Sequence, residues 1–210
     1  MDLRNKKGLV IFVRHGQTDW NTLGLMQGRE DIPLNEKGLE QARQTAMGIK
    51  KACERTGIVF DRVISSPLSR ASVTGETVAR AIGCNRFYCD ERVTERDFGE
   101  LSGKPYESDS ISISGDMDSV SSLERVQSLI DRVKDFIRDN CSAKENTLVV
   151  THGAVARIFA DHAKKAEGFE IISPFLLNCH LAIYSYDGES AVLQGYNVPS
   201  DRLDEFLEGK

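Results

Sequence analysis

Three short apolar runs, each followed at once by polar or cationic residues, constrain the fold of this chain more than any other feature. Leu9–Val13 (LVIFV) runs into Arg14, His15 and Gly16, DRVISS (residues 61–66) is followed by Pro67 and Arg70, and TLVVT (residues 147–151) meets His152 and Gly153. A continuous apolar run of this length is the pattern of a strand covered on both faces. Between the first two runs, Leu39, Ala42, Ala46, Ile49 and Cys53 recur at helical spacing, with Asn35 as N-cap and Gly57 as terminator. A second helix is expected after DRVISS, capped by Ser66 with Pro67 in its first turn. Val120, Leu123, Val126, Ile130, Val133 and Ile137 mark one face of a third, and residues 153–165 (GAVARIFADHAKK) read as a fourth. HLAIYSYDGESAVLQGY, from His180, reads as a hairpin turning at Asp187 and Gly188. Strands that alternate with helices predict an α/β fold, a three-layer sandwich with a mainly parallel central sheet flanked by helices and antiparallel pieces near the C-terminus.

The 210 residues suit a single domain over 1–210. One stretch stands apart. Residues 105–124 (PYESDSISISGDMDSVSSLE) are rich in serine and acidic groups and hold no lysine or arginine, and a short polar cap is expected around 104–122. A formal net charge of -5 argues against a nucleic-acid partner and against an anionic membrane surface, since both usually need a basic face. Leu9–Val13 is too short for a leader core or a membrane span, so a cytoplasmic protein is expected. Five scattered cysteines (Cys53, Cys84, Cys89, Cys141, Cys179), with no CxxC pair, read as free thiols and suggest no metal. The NCS sequon at Asn140 is taken as chance. The oligomeric state is not specified by the sequence.

Ligands of open α/β sheets sit beyond the carboxyl ends of the strands, where this chain puts its unusual residues. Arg14 and His15 end the first strand, His152 ends the later one, and Arg70 lies in the first turn of the helix after the second. A single histidine there is ordinary, but four cationic-capable groups at equivalent strand ends make a site for a dianion. Two arginines offer paired donors to phosphoryl oxygens. There is no GxxxxGK[ST] loop and no GxSxG elbow, and the strand ends offer few acids for a metal phosphatase. Histidine as the nucleophile remains.

VRHGQTDWN (residues 13–21), SSPLSRA (65–71), TERDFGELSG (94–103) and VTHGAVAR (150–157) together resemble the histidine phosphatase superfamily, the phosphoglycerate mutase-like proteins, and occur in family order. The resemblance implies the phosphoglycerate mutase-like form of the sandwich. It makes His15 the nucleophile that becomes phosphohistidine, and assigns Arg14, Arg70 and His152 to the phosphate pocket with Asn21 as a further donor. Glu95 would be the proton donor and later the base, with Asp97 and Glu100 as rivals. His162 and His180 match no catalytic position of the family and are expected to be structural. Three departures stand out. The Gly-Glu-Ser element is reduced to GDMDS (115–119), Leu25 in GLMQG takes the place of a common basic residue, and Ala154 replaces a common glycine. With a short acidic segment where mutases carry basic groups, the expected activity is a cofactor-free, metal-independent phosphomonoesterase acting on a small phosphate ester. A cofactor-dependent phosphoglycerate mutase and a catalytically lapsed phosphate-binding module are the alternatives.

Overall fold

The computed structural model describes residues 8–106, 120–173 and 175–209. In chain order it contains β1 (Leu9–Arg14), α1 (Asp19–Thr22), α2 (Glu36–Thr56), β2 (Arg62–Ser65), α3 (Ser69–Ile82), β3 (Phe87–Cys89), α4 (Val126–Asn140), β4 (Thr147–Thr151), α5 (Gly153–His162), β5 (Lys164–Lys165), β6 (His180–Tyr186), β7 (Ala191–Pro199) and α6 (Leu203–Glu208). The strands form one sheet in the order β3-β2-β4-β1-β6-β7-β5. Only β6 runs against the rest: it is antiparallel to both β1 and β7, and the other pairings are parallel. The sheet is therefore mainly parallel, and the expected hairpin at Asp187 and Gly188 joins its one reversed strand, β6, to β7.

Alternate residues of the central strands feed two cores, as the period of a strand requires. Val10 and Phe12 of β1 pack with Val133 and Phe136 of α4 and Val155 and Ile158 of α5. Leu9, Ile11 and Val13 face the other way, toward Ala46 and Ile49 of α2, Val78 of α3 and Leu203 of α6. Helices thus cover both faces, giving three layers. Among the described residues no helix is long and apolar enough to cross a membrane.

Local structure departs from the sequence pattern in three places. The helix expected to be capped by Ser66 begins later, with Leu68 at the cap position and no side-chain cap; the Ser66 Oγ accepts from the Leu68 N–H, closing the turn ahead of the helix. The amphipathic face starting at Val120 is split, because α4 starts only at Val126. Before it, Val120 and Leu123 pack with Met26, Phe98 and Ala154, while the Glu124 N–H donates to the Asp97 carbonyl (2.9 Å). That tertiary bond draws the segment away from a helical path. Finally, α5 ends at His162, and Lys164–Lys165 pair with the edge of β7. Most of the expected cap, residues 107–119 with GDMDS, lies outside the described residues.

Register brings the strand ends together. Arg14 of β1 stands opposite Thr151 of β4, and the His15 N–H donates to the Thr151 carbonyl (3.0 Å). Ser65 of β2 stands opposite Val150, and the Ser66 N–H donates to that residue's carbonyl (3.0 Å). The loop leaving β1 is then clamped by α2 and α3. The Gly16 N–H donates to Thr74 Oγ1 (3.2 Å), the Gln17 N–H to Gln41 Oε1 (2.8 Å), and the Asn35 N–H to the Gln17 carbonyl (3.1 Å). Two glycines allow this approach. A Cβ on Gly38 would lie 2.0 Å from the Gln17 carbonyl oxygen, and one on Gly16 would lie 2.4 Å from that of Gly38.

Gly38→Ala is expected to destabilise the protein by about 1–3 kcal/mol, the usual range for overpacking. In a thermal melt this is a drop of several degrees. An unchanged midpoint would show that the loop yields without cost.

Candidate active site

The nucleophile expected from the sequence, His15, is 2% exposed, and its Nδ1 lies 2.6 Å from the Gly16 carbonyl oxygen. A carbonyl only accepts, so Nδ1 carries the proton and Nε2 keeps its lone pair. Burial holds the His15 pKa well below the ordinary histidine value, reinforced by the charges of Arg70 and then Arg14. His152 packs beside it with ring centroids 5.1 Å apart, wholly buried, and neither of its ring nitrogens has a hydrogen-bond partner among the described residues. Burial, then Arg70, depresses its pKa as well.

Arg70 is fully buried in the first turn of α3 and donates to the carbonyls of Glu30 (2.6 Å) and Gly28 (2.8 Å). Burial pulls its pKa down to about 10, with Glu95 and Asp31 acting in the other direction. Arg14 donates through Nη1 to the Leu176 carbonyl (2.7 Å), and burial lowers its pKa against the opposing field of Glu95. The Nε atoms of both arginines are buried without a partner among the described residues. Each guanidinium is thus fixed by backbone oxygen on one side and retains donors on another, as an anion pocket needs.

Glu95, 8% exposed, sits at the first turn of α5. Its Oε2 faces the Ala154 N–H (3.3 Å), and its Oε1 accepts from Arg96 N–H (2.9 Å) and faces the Val155 N–H (3.4 Å). Asn21 closes α1 in a capping box with Thr18, its Oδ1 accepting from the Thr18 N–H (3.2 Å). With that oxygen engaged, the amide nitrogen is the end available to donate.

Arg14, His15, Asn21, Arg70 and Glu95 all line one cavity of ≈ 220 Å³, while His152 stands behind His15. Asp97 and Glu100 do not line it. The Asp97 carboxylate accepts instead from the Gly99 N–H (2.8 Å), and Glu100 is exposed. His162 lies on the surface of α5, with Nδ1 against the Ile158 carbonyl (2.8 Å), and His180 opens β6. Leu25 and Ala154, singled out in the sequence as departures from the family pattern, stand in the outer wall; sequence reasoning missed the rest of it, Met26, Phe98, Tyr106 and Phe175, with Tyr106 and Phe175 in an edge-to-face pair at 5.5 Å. It also missed Gln27, a buried side chain on the same cavity. Gln27 stands in the GLMQG stretch and carried that signal; Phe175, in an irregular segment, carried none.

A buried neutral imidazole beside two fixed guanidinium groups, with a carboxyl group on the same cavity, is a set suited to phosphoryl transfer. The chain belongs to the histidine phosphatase superfamily (branch 1), whose model matches residues 10–199. It is 30% identical over 193 residues to the protein named uncharacterized phosphatase PhoE of Bacillus subtilis, covering 91% of this chain and 95% of that one. A 2,3-bisphosphoglycerate-dependent phosphoglycerate mutase of Parvibaculum lavamentivorans is 40% identical over 97 residues, only 45% of this chain and 44% of the mutase. In fold, the chain is similar to a phosphoglycerate mutase from Bacillus anthracis (TM-score 0.76, 21% identity, 96% of this chain and 98% of that one). It is also similar to a mycobacterial glucosyl-3-phosphoglycerate phosphatase solved with VO3 (TM-score 0.71, 20% identity, 90% and 99%).

The depressed histidines link stability to pH. An unfolded chain protonates its histidines near pH 6.5, about the free value, whereas folded His15 and His152 stay neutral to lower pH. Below that value the unfolded state binds more protons, so stability is lost as pH falls through the ordinary histidine range. The urea midpoint is expected to fall from neutral to mildly acidic pH, and less steeply in His152→Gln. Equal slopes in the two proteins would contradict the assignment.

Proposed function

We propose that the protein is a metal-independent phosphomonoesterase that works through a phosphohistidine on His15 and acts on a small phosphorylated metabolite. The observation that carries this reading is the His15 ring: its Nδ1 is held by the Gly16 carbonyl, which leaves Nε2 as a neutral nucleophile on a cavity shared with Arg14, Arg70 and Glu95. Nε2 attacks phosphorus, the ester P–O bond breaks, and Glu95 gives its proton to the departing oxygen. In the second step Glu95 takes a proton from water, whose oxygen attacks phosphorus. The P–N bond breaks, orthophosphate leaves and His15 is restored. Arg14, Arg70, His152 and the Asn21 amide stabilise the charge gathered on the equatorial oxygens.

Hydrolysis is favoured over mutase activity by what surrounds the phosphate position. Among the described residues lining the cavity, the arginines are Arg14 and Arg70, there is no lysine, and the outer wall is mostly apolar. Residues 105–124 contain neither lysine nor arginine. A phosphoglycerate presents a carboxylate beyond its phosphate, which such a wall leaves unpaired. Monoesters with an uncharged leaving group are therefore the preferred class. The near full-length similarity to a protein named as a phosphatase supports the same reading, since the mutase of Parvibaculum lavamentivorans matches over less than half of the chain.

The test is phosphate release from a panel of monoesters in excess chelator, with p-nitrophenyl phosphate, alkyl phosphates and 3-phosphoglycerate included. Release is expected to persist in chelator, to vanish in His15→Ala, and to need no bisphosphoglycerate. Glu95→Gln is expected to slow alkyl esters by about 10²–10⁴-fold, the range for a general acid, and p-nitrophenyl phosphate much less, because that leaving group needs little protonation. Activity that survives His15→Ala, or is abolished by the chelator, would overturn the reading.

A further inference from the structure

The segment from Phe175 to Cys179 is held between Arg14 of the site and Asn197 of β7. The Phe175 carbonyl accepts from Asn197 Nδ2 (2.6 Å), and the Leu176 carbonyl accepts from Arg14 (2.7 Å). The Leu177 N–H donates to Asn197 Oδ1 (2.7 Å), and the Cys179 N–H to the Arg14 carbonyl (2.9 Å). Cys179 takes a left-handed conformation (φ 61), which a residue with a Cβ keeps only where its surroundings demand it. Asn178 is thereby aimed at the back of the site. Its Nδ2 donates to the His15 carbonyl (2.9 Å) and to Asn21 Oδ1 (3.3 Å), which uses both amide hydrogens.

We propose that Asn178 is a positioning residue that couples the His15 backbone to the Asn21 amide and fixes which end of that amide faces the phosphoryl group. The inference rests on the reading of the cavity as a phosphate site. The two ends of an asparagine amide are nearly equal in shape and opposite in hydrogen bonding. Turned one way, Asn21 offers phosphoryl oxygens an NH2 donor; turned the other, it presents them with an oxygen. The Thr18 N–H, the Thr18 hydroxyl and Asn178 Nδ2 all donate to Oδ1, so a flipped Asn21 would set its NH2 against two N–H donors that cannot turn to accept. Thr18 belongs to the same helix end as Asn21, whereas Asn178 joins that amide to the residue bearing the nucleophile. Asn178 itself does not line the cavity, so it acts through Asn21.

The test is a double-mutant cycle between Asn178→Ala and Asn21→Ala. It is read by calorimetric binding of inorganic phosphate, which needs no turnover, together with kcat and KM for p-nitrophenyl phosphate and a thermal melt. Asn178→Ala is expected to weaken phosphate about tenfold, the scale of one hydrogen bond to a charged group, and to match Asn21→Ala. The double variant should bind no more weakly than Asn21→Ala alone. Asn178→Asp, an isostere without the donor, should be worse than alanine, while Asn178→Ser, which keeps one donor, should recover part of the loss and serves if the alanine variant does not fold. Additive losses in the cycle, or a lowered melting point with phosphate binding intact, would show that Asn178 only supports its loop. If the unaltered protein binds phosphate yet hydrolyses no ester, the proposed function fails and the cycle still decides the role of Asn178; if it binds no phosphate, both fall.

Discussion

The structure is organised around two guanidinium groups, Arg70 buried and Arg14 half-buried, beneath the ends of a mainly parallel sheet. Removing an ion from water costs several kcal/mol unless fixed dipoles or opposite charges replace the hydration. Here the Gly28 and Glu30 carbonyls serve Arg70, the Leu176 carbonyl serves Arg14, and the field of Glu95 acts on both. The compensation is incomplete, because each Nε is left without a partner among the described residues. Burial, reinforced by the excess positive field, keeps the two histidines neutral, and that field is ready for an anion. The desolvation that would disfavour a structural arginine is therefore the condition that the proposed role of His15 as nucleophile depends on.

That arrangement depends in turn on sheet register. Sliding β1 by one residue against β4 would turn Arg14 and His15 to opposite faces and carry them away from His152. The alternation of Leu9, Ile11 and Val13 into one core with Val10 and Phe12 into the other opposes such a slip. Beyond the strand, the close approach of Gly16 to Gly38 holds the loop from His15 to Asn21 against α2. Packing of the apolar layers and placement of the polar groups are thus one constraint.

The sheet, its helices and the cationic strand ends were legible in the sequence because periodicity and strand termini are local patterns. The start of α4 was not, because Val120 and Leu123 keep a helical spacing although the tertiary bond from Glu124 to Asp97 pulls that stretch toward the cavity. Ser66 misled for a related reason: its hydroxyl can cap a helix or close the turn before it, and the position of Leu68 decides between them. Phe175 and Asn178 left no trace because they lie in an irregular segment; Asn178 takes its meaning from partners more than a hundred residues away in sequence.

Charge and shape at the cavity come from different parts of the chain. The floor, Arg14, His15 and Arg70 with His152 behind it, comes from strand ends and the first turn of a helix, elements locked by two cores. The wall, Leu25, Met26, Phe98, Tyr106 and Phe175, comes from loops. On the proposed reading, substitutions in the wall alter which leaving group is accepted without disturbing the buried electrostatics around His15, because loop side chains do not set sheet register. Phosphoryl chemistry and substrate choice are accordingly separable in this architecture. The segment that crosses the division is Phe175 to Cys179, which gives an aromatic side chain to the wall and, three residues later, an amide to the back of the floor. A change of leaving-group preference introduced through Phe175 would be coupled to phosphate binding in a way that the same change through Leu25 would not.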